Sequence, residues 1–173
     1  IVNCTTAAQY FHVLRRQALL LGTDPLPLVM LTPKSLLRHP MVASTPRELA
    51  EGAFQRVIDD DQAAARATKI RRVVLCSGKV YFDLLKARRR DAIRDVALVR
   101  IEQLYPFPTD EYAAVLRRYP AARDGVWCQE EPQNQGAWYQ IRHRLQEKLP
   151  AGSELLYAGR PPAAAPATGI LKI

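Results

Sequence analysis

The stretch QEEPQNQGAW is the most unusual in the chain. Gln129, Glu130 and Glu131 end an apolar run, Gln133, Asn134 and Gln135 follow, and Gly136 opens a helix-like segment that carries Trp138. Adjacent carboxylates at such a place can do acid–base work, but spacing alone names no catalytic partner for either. The competing reading, which the pattern favours, is a polar loop that anchors a subunit contact, with Trp138 as a large buried aromatic or interface anchor.

A second candidate is Ser77-Gly78-Lys79, where an apolar run gives way to a helical one. Backbone amides at a strand-to-helix junction can hold an anion, and Lys79 adds positive charge. The GxxxxGK[ST] pattern of a phosphate loop is absent, and a plain structural turn is the competing reading. Arg88, Arg89 and Arg90 form the densest basic run and, with Ser77 and Lys79, make a candidate site for a phosphate-bearing effector such as an acyl-CoA or a nucleotide.

The three histidines, His12, His39 and His143, stand far apart, and no Ser or Cys lies at a spacing that implies a nucleophile pair. Surface or interface roles account for them. Cys4, Cys76 and Cys128 show no CxxC spacing, so neither a metal site nor a disulfide framework is indicated. Their usage fits a reducing compartment, a bacterial cytoplasm or a mitochondrial matrix.

The elements that position these groups alternate strand and helix signals. Residues 1–4 read as the end of an apolar strand, and Thr6 with Gln9 matches a capping box that opens a helix running to Gly22. PLVMLT, 27–32, reads as the next strand, and the three pieces together as one βαβ unit. Residues 43–70 read as a linker: Thr45-Pro46-Arg47-Glu48 starts a short helix, and the acidic, Ala-rich DDDQAAARA is expected to cross the surface without a strand. From Arg71 the runs RVVLCSG, DVALVRI, GVWCQEE and ELLYAG are nearly continuous in apolar residues, as parallel strands covered on both faces should be. VYFDLLKARRR, TDEYAAVLRRY and GAWYQIRHRLQEKL lie between them as helices. The pattern predicts an α/β domain built on an open, mostly parallel sheet. The tail, GRPPAAAPATGILKI, is expected to be extended.

Composition bounds the rest. The chain has 173 residues, 48% of them apolar, enough for a packed core and too many for a disordered segment. The formal charge of +8 comes mostly from scattered pairs such as Arg15/Arg16 and Arg117/Arg118. No aromatic ladder interleaves them, so a nucleic-acid partner is not expected. No apolar run approaches the ~18 residues of a membrane span, so no membrane partner is expected either. The chain begins at Ile1 without methionine, signal or transit peptide, and reads as a piece cut from a longer protein.

Five runs, PLVMLTPKSLLRHP, RRVVLCSGKVYFDLL, VALVRIEQLYPFP, WCQEEPQNQGAWY and YAGRPPAAAPATG, resemble the final part of the 2-oxoglutarate dehydrogenase E1 family in order and spacing, over nearly the whole chain. The resemblance implies that residues 1–42 end a pyrimidine-binding α/β domain and that 71–173 form a C-terminal domain of transketolase type. It implies an enzyme that oxidatively decarboxylates 2-oxoglutarate on thiamine diphosphate with Mg²⁺, works as a homodimer with a second E1 subunit, and succinylates the lipoyl arm of the E2 dihydrolipoyl succinyltransferase. The relative acting on 2-oxoadipate shares this architecture, but the QLYPFP and NQGAWY spellings lean toward the 2-oxoglutarate enzyme. The family's GDG…N signature, activating Glu and active-site histidines fall before Ile1, and His12 is not one of them. No catalytic, cofactor-binding or metal-binding residue is therefore carried over. The segment is expected to support dimer assembly, to hold no cofactor and to be inactive alone.

Two other classes remain. An effector-binding regulatory module would show salt-sensitive binding of a CoA compound. A nucleic-acid-binding domain, suggested only by charge, would show a steep salt slope.

Overall fold

In the computed structural model, residues 1–167 are described; the last part of the tail, 168–173, lies outside the described residues. The four apolar runs after Arg71 form strands β2 (Arg72–Cys76), β3 (Val96–Ile101), β4 (Asp124–Pro132) and β5 (Glu154–Arg160). A fifth strand, β1 (Val57–Ile58), joins them in one sheet of order β1-β3-β2-β4-β5. All neighbours are parallel except β1 against β3. The sheet is mixed and mostly parallel, and the chain is α/β.

Helices α4 (Val80–Arg90), α5 (Thr109–Arg117) and α6 (Trp138–Lys148) provide the crossovers between the parallel strands. The direction in which successive strands are added reverses at β2: β3 lies to one side of it, β4 and β5 to the other. Right-handed crossovers then put α4 on the face opposite α5 and α6. Packing agrees. Val73, Leu75, Val99 and Trp127 share a core with Tyr112, Leu116, Ile141 and Leu145 of α5 and α6, and no α4 residue belongs to it. The alternation of side chains along each strand sends Cys76, Leu98 and Val126 to the other face.

The first part of the chain is tied to this sheet. Helix α1 (Ala7–Leu20) starts at Thr6, whose side chain accepts from the Gln9 amide. Only half of the predicted capping box forms, because the Gln9 side chain instead donates to the Gln55 carbonyl at 2.6 Å. PLVMLT makes no strand; a single parallel bridge, Val2 to Met30, is what remains of the expected βαβ unit. PKSLLRHP and the two residues after it wind into two short 3₁₀ turns, Lys34–Arg38 and Pro40–Val42.

The linker departs most from expectation. Helix α2 (Pro46–Glu51) has the full capping box between Thr45 and Glu48. The acidic run 59–67 forms no strand, as expected, but β1 stands just before it, and its two residues are too short a run to show a period. The acidic run is not all surface. Asp60 is buried, caps helix α3 (Asp61–Ala64) through the amides of Gln62 and Ala63, and accepts from Leu98 N at 2.9 Å.

Candidate functional site

In an open α/β sheet the crevice at the point of strand reversal, outside the carboxyl ends of the strands, is the usual place for a ligand. Here it lies between β2 and β4, and both sequence candidates flank it. Ser77-Gly78-Lys79 leaves β2, and the QEEPQNQ segment ends β4 and leads to α6. Gly78 has φ +70, and a Cβ there would run into the Asn3 side chain. Glycine is thus required twice over, by backbone sign and by space.

Lys79 reaches across the crevice edge to Glu130 at 2.7 Å and back to Asp83 at 3.0 Å. Burial works against the ammonium, but the hydrogen bonds it donates to both carboxylates outweigh it and hold its pKa above the ordinary lysine value. A cation already matched by two anions offers no net charge to a phosphate.

The arginines do not join it. Arg88 turns inward from the last turn of α4 and pairs with buried Asp60, with further bonds to Val96 O and Gln62 Oε1, both at 3.2 Å. Arg89 is exposed, and Arg90 is paired with Asp91. They lie about 15 Å of helix rise from Lys79. The expected effector cluster of Ser77, Lys79, Arg88, Arg89 and Arg90 does not form one site, because the helix separates its ends and Arg88 is needed inside.

Gln129 is the hub of the second candidate. Its Oε1 accepts from Trp127 Nε1 at 2.8 Å and from Trp138 N at 3.1 Å, while Nε2 donates to Gln135 O at 2.7 Å and Pro132 O at 3.1 Å. Gly136, at φ +67, brings the backbone against this amide. The rest of the segment holds the chain's own tail. Asn134 exchanges two bonds with Ala163, Nδ2 to O at 3.1 Å and N to Oδ1 at 3.0 Å, and Gln135 Nε2 donates to the same carbonyl. Gln133 uses its backbone amide on Arg160 O. Trp138 is 8% exposed, its ring 5.1 Å from that of Tyr157. The structure therefore brings Glu130 to Lys79, leaves the Glu131 side chain half-buried beside the crevice, and commits Gln129 and Trp138 to the interior.

The sequence reading passed over a buried polar network where the first segment meets β3. Glu102 is fully buried and accepts from Thr5 N at 2.9 Å and Thr5 Oγ at 2.5 Å, with Gln9 Nε2 at 3.4 Å. Arg100 Nη1 donates to the same Thr5 hydroxyl at 2.8 Å and lies 4.3 Å over the Tyr81 ring. Burial raises the Glu102 pKa against the pull of Arg100 and the Thr5 bonds. Cys4 beside it is pushed up to about 12, by burial first and by Glu102 second, which makes it an inert thiol. The available signal was a charged pair, Arg100 and Glu102, closing an otherwise apolar strand.

Residues 43–173 match the family described as 2-oxoglutarate dehydrogenase C-terminal. Among curated proteins, the 2-oxoglutarate dehydrogenase E1 component of Cupriavidus necator is 50% identical over 165 residues, covering 95% of this chain and 17% of that protein. The E1 component of Haemophilus influenzae is 49% identical over 170 residues, covering 98% of this chain and 18% of that protein. That of Azotobacter vinelandii is 50% identical, covering 95% and 18% respectively. The chain thus spans less than a fifth of the length of these relatives.

Proposed function

The chain belongs to the 2-oxoglutarate dehydrogenase C-terminal family, and on that premise we propose that it is the C-terminal segment of an E1 subunit. The whole subunit would oxidatively decarboxylate 2-oxoglutarate on thiamine diphosphate with Mg²⁺ and pass the succinyl group to the lipoyl arm of E2. The observation that carries this reading is an identity near 50%, over nearly all of the chain, to proteins named as that component.

Within the subunit we assign 1–42 to the end of the pyrimidine-binding domain, 43–70 to a linker, and 71–173 to a C-terminal domain of transketolase type. The family match starting at residue 43 supports this division. So does the mostly parallel sheet, which lies almost wholly after Arg71. The segment's part is assembly of the homodimer. The residues present do not suit the cofactor. Among the described residues no group of His, Cys, Asp and Glu could hold a metal ion. The lysine at the strand-reversal crevice is already matched by Asp83 and Glu130. No step of the reaction is therefore routed through this chain. The reducing compartment suggested by its cysteines is part of the same proposal.

The test compares this segment with the full-length subunit by calorimetric titration of thiamine diphosphate and by release of CO₂ from 2-oxoglutarate. The full subunit should do both and the segment neither. Turnover by the segment alone would overturn its assignment to assembly. A full subunit that prefers 2-oxoadipate would move the substrate to that relative.

A further inference from the structure

The crevice at the carboxyl ends of β2, β3 and β4 is a cavity of about 890 Å³. Leu104, Phe107, Trp127 and Ile141 make its walls, and its rim carries exposed Gln140, His143 and Arg144 from α6. Left open, it would keep those apolar walls in water. The polar groups deeper in it are committed elsewhere. Gln129 spends its side-chain amide on Trp127, Trp138, Gln135 and Pro132, and the oxygens Asn3 Oδ1 and Ser77 Oγ are buried and not presented to the hollow. A small-molecule site wants a few convergent polar groups, and this crevice presents apolar wall instead.

Ile1 lies at its mouth. It lines the cavity, and its backbone is bonded both ways to Tyr105: Ile1 N donates to Tyr105 O at 2.7 Å, and Tyr105 N donates to Ile1 O at 3.2 Å. Large apolar side chains stand exposed around that point, Tyr105 at 68%, Ile1 at 45% and Leu31 at 42%. Clustered apolar exposure beside a cleft marks a surface that more protein covers. The relatives are far longer than this chain, which spans 17% and 18% of two of them. We propose that the crevice is closed, in the whole subunit, by the stretch of the same subunit that leads into Ile1, which passes Tyr105 and lays apolar side chains against Leu104, Phe107 and Ile141. This rests on the reading of the chain as the C-terminal segment of an E1 subunit. Position decides the occupant. A residue joined to Ile1 is held at the mouth by the covalent chain and the Tyr105 bonds, at an effective concentration on the order of millimolar or above. A second copy or a solute would have to displace it.

The test uses the full-length subunit and two positions, Gln140 on the rim and Arg89 on α4, outside the crevice. Both are exposed in this chain, so substitution at either should leave the fold intact. Gln140→Cys should react with a maleimide at least about tenfold more slowly than Arg89→Cys, because the covering stretch must lift away first. With the photo-cross-linker p-benzoylphenylalanine in place of Gln140, irradiation should join that position to the peptide that runs directly into Ile1. The product should keep the mobility of a single subunit on a denaturing gel, and the same probe in place of Arg89 should not reach that peptide. Labelling at 140 as fast as at 89, no cross-link, or a cross-link to another stretch or to a second subunit overturns the proposal. Release of CO₂ from 2-oxoglutarate, assayed on the parent and on each variant, separates the two readings: a parent without turnover fails the functional assignment, whereas an active subunit with an open crevice fails only this inference.

Discussion

Lys79 Nζ lies 2.7 Å from Glu130 Oε1, and this one ion pair ties the turn after β2 to the loop after β4 across the point where the sheet reverses direction. Both side chains are about a third or more exposed, 31% and 44%, so water screens them. A double-mutant cycle with Lys79→Ala and Glu130→Ala should give a coupling of at most about 1 kcal/mol in urea unfolding. The coupling should shrink in 1 M salt, where the screening length is ~3 Å. A coupling that persists there would mean that the pair is sequestered from solvent.

The Arg88–Asp60 pair should behave in the opposite way. Its side chains are 10% and 6% exposed, and Asp60 also caps α3 and accepts from Leu98 N. Arg88→Met leaves a carboxylate buried without its cation, and should cost about 3–5 kcal/mol of unfolding free energy. Arg89→Ala, one residue along and exposed, should stay within about 0.5 kcal/mol of the parent. Equal effects from the two would show that the inward turn of Arg88 is not what holds the helix to the linker.

These two pairs mark where sequence reasoning stops. Helix α4 was legible from Val80 to Arg90, and the four parallel strands were legible as apolar runs, because period and composition are local properties. Partnerships are not local. Asp60 in an acidic run and Arg88 in a basic one both resemble solvated surface, and only the fold brings them together over 28 residues. Likewise Asn134 showed a polar loop, but not that its amide would grip Ala163, 29 residues on. The reversal at β2, which puts the two candidate segments on one crevice, follows from strand order and has no signature in any single segment.

Trp138 was read as a large buried aromatic or an interface anchor, and it is packed against Tyr157 with its backbone amide held by Gln129. Trp138→Ala should therefore cost about 3–5 kcal/mol of domain stability in chemical unfolding, the range for emptying an aromatic site in a core. Dissociation measured by sedimentation under conditions where the variant stays folded should change little. A weakened dimer with an unchanged unfolding midpoint would restore the interface role.

Glu102 gives a prediction with a definite sign. Its carboxyl is fully buried, and although Arg100, Thr5 and Gln9 all favour the charged form, burial dominates and raises its pKa above the ordinary glutamate value. The folded state therefore holds this proton more tightly than the unfolded state does. The site's contribution to stability is fully present below the unfolded value and is lost as pH rises through the folded one. Glu102→Gln keeps the shape and removes the titration. Its Nε2 would meet the Thr5 hydroxyl or amide in place of a carboxylate oxygen, so the variant carries a fixed penalty that does not vary with pH. The difference in stability, variant minus parent, should accordingly move in favour of the variant as pH is raised from about 4.5, the unfolded carboxyl value, towards neutrality. Urea unfolding of both proteins at a series of pH values measures it. A difference that is flat, or that moves against the variant as pH rises, would show that Arg100 and the Thr5 bonds outweigh burial, and that Glu102 is charged throughout as the anionic centre joining the first segment to β3.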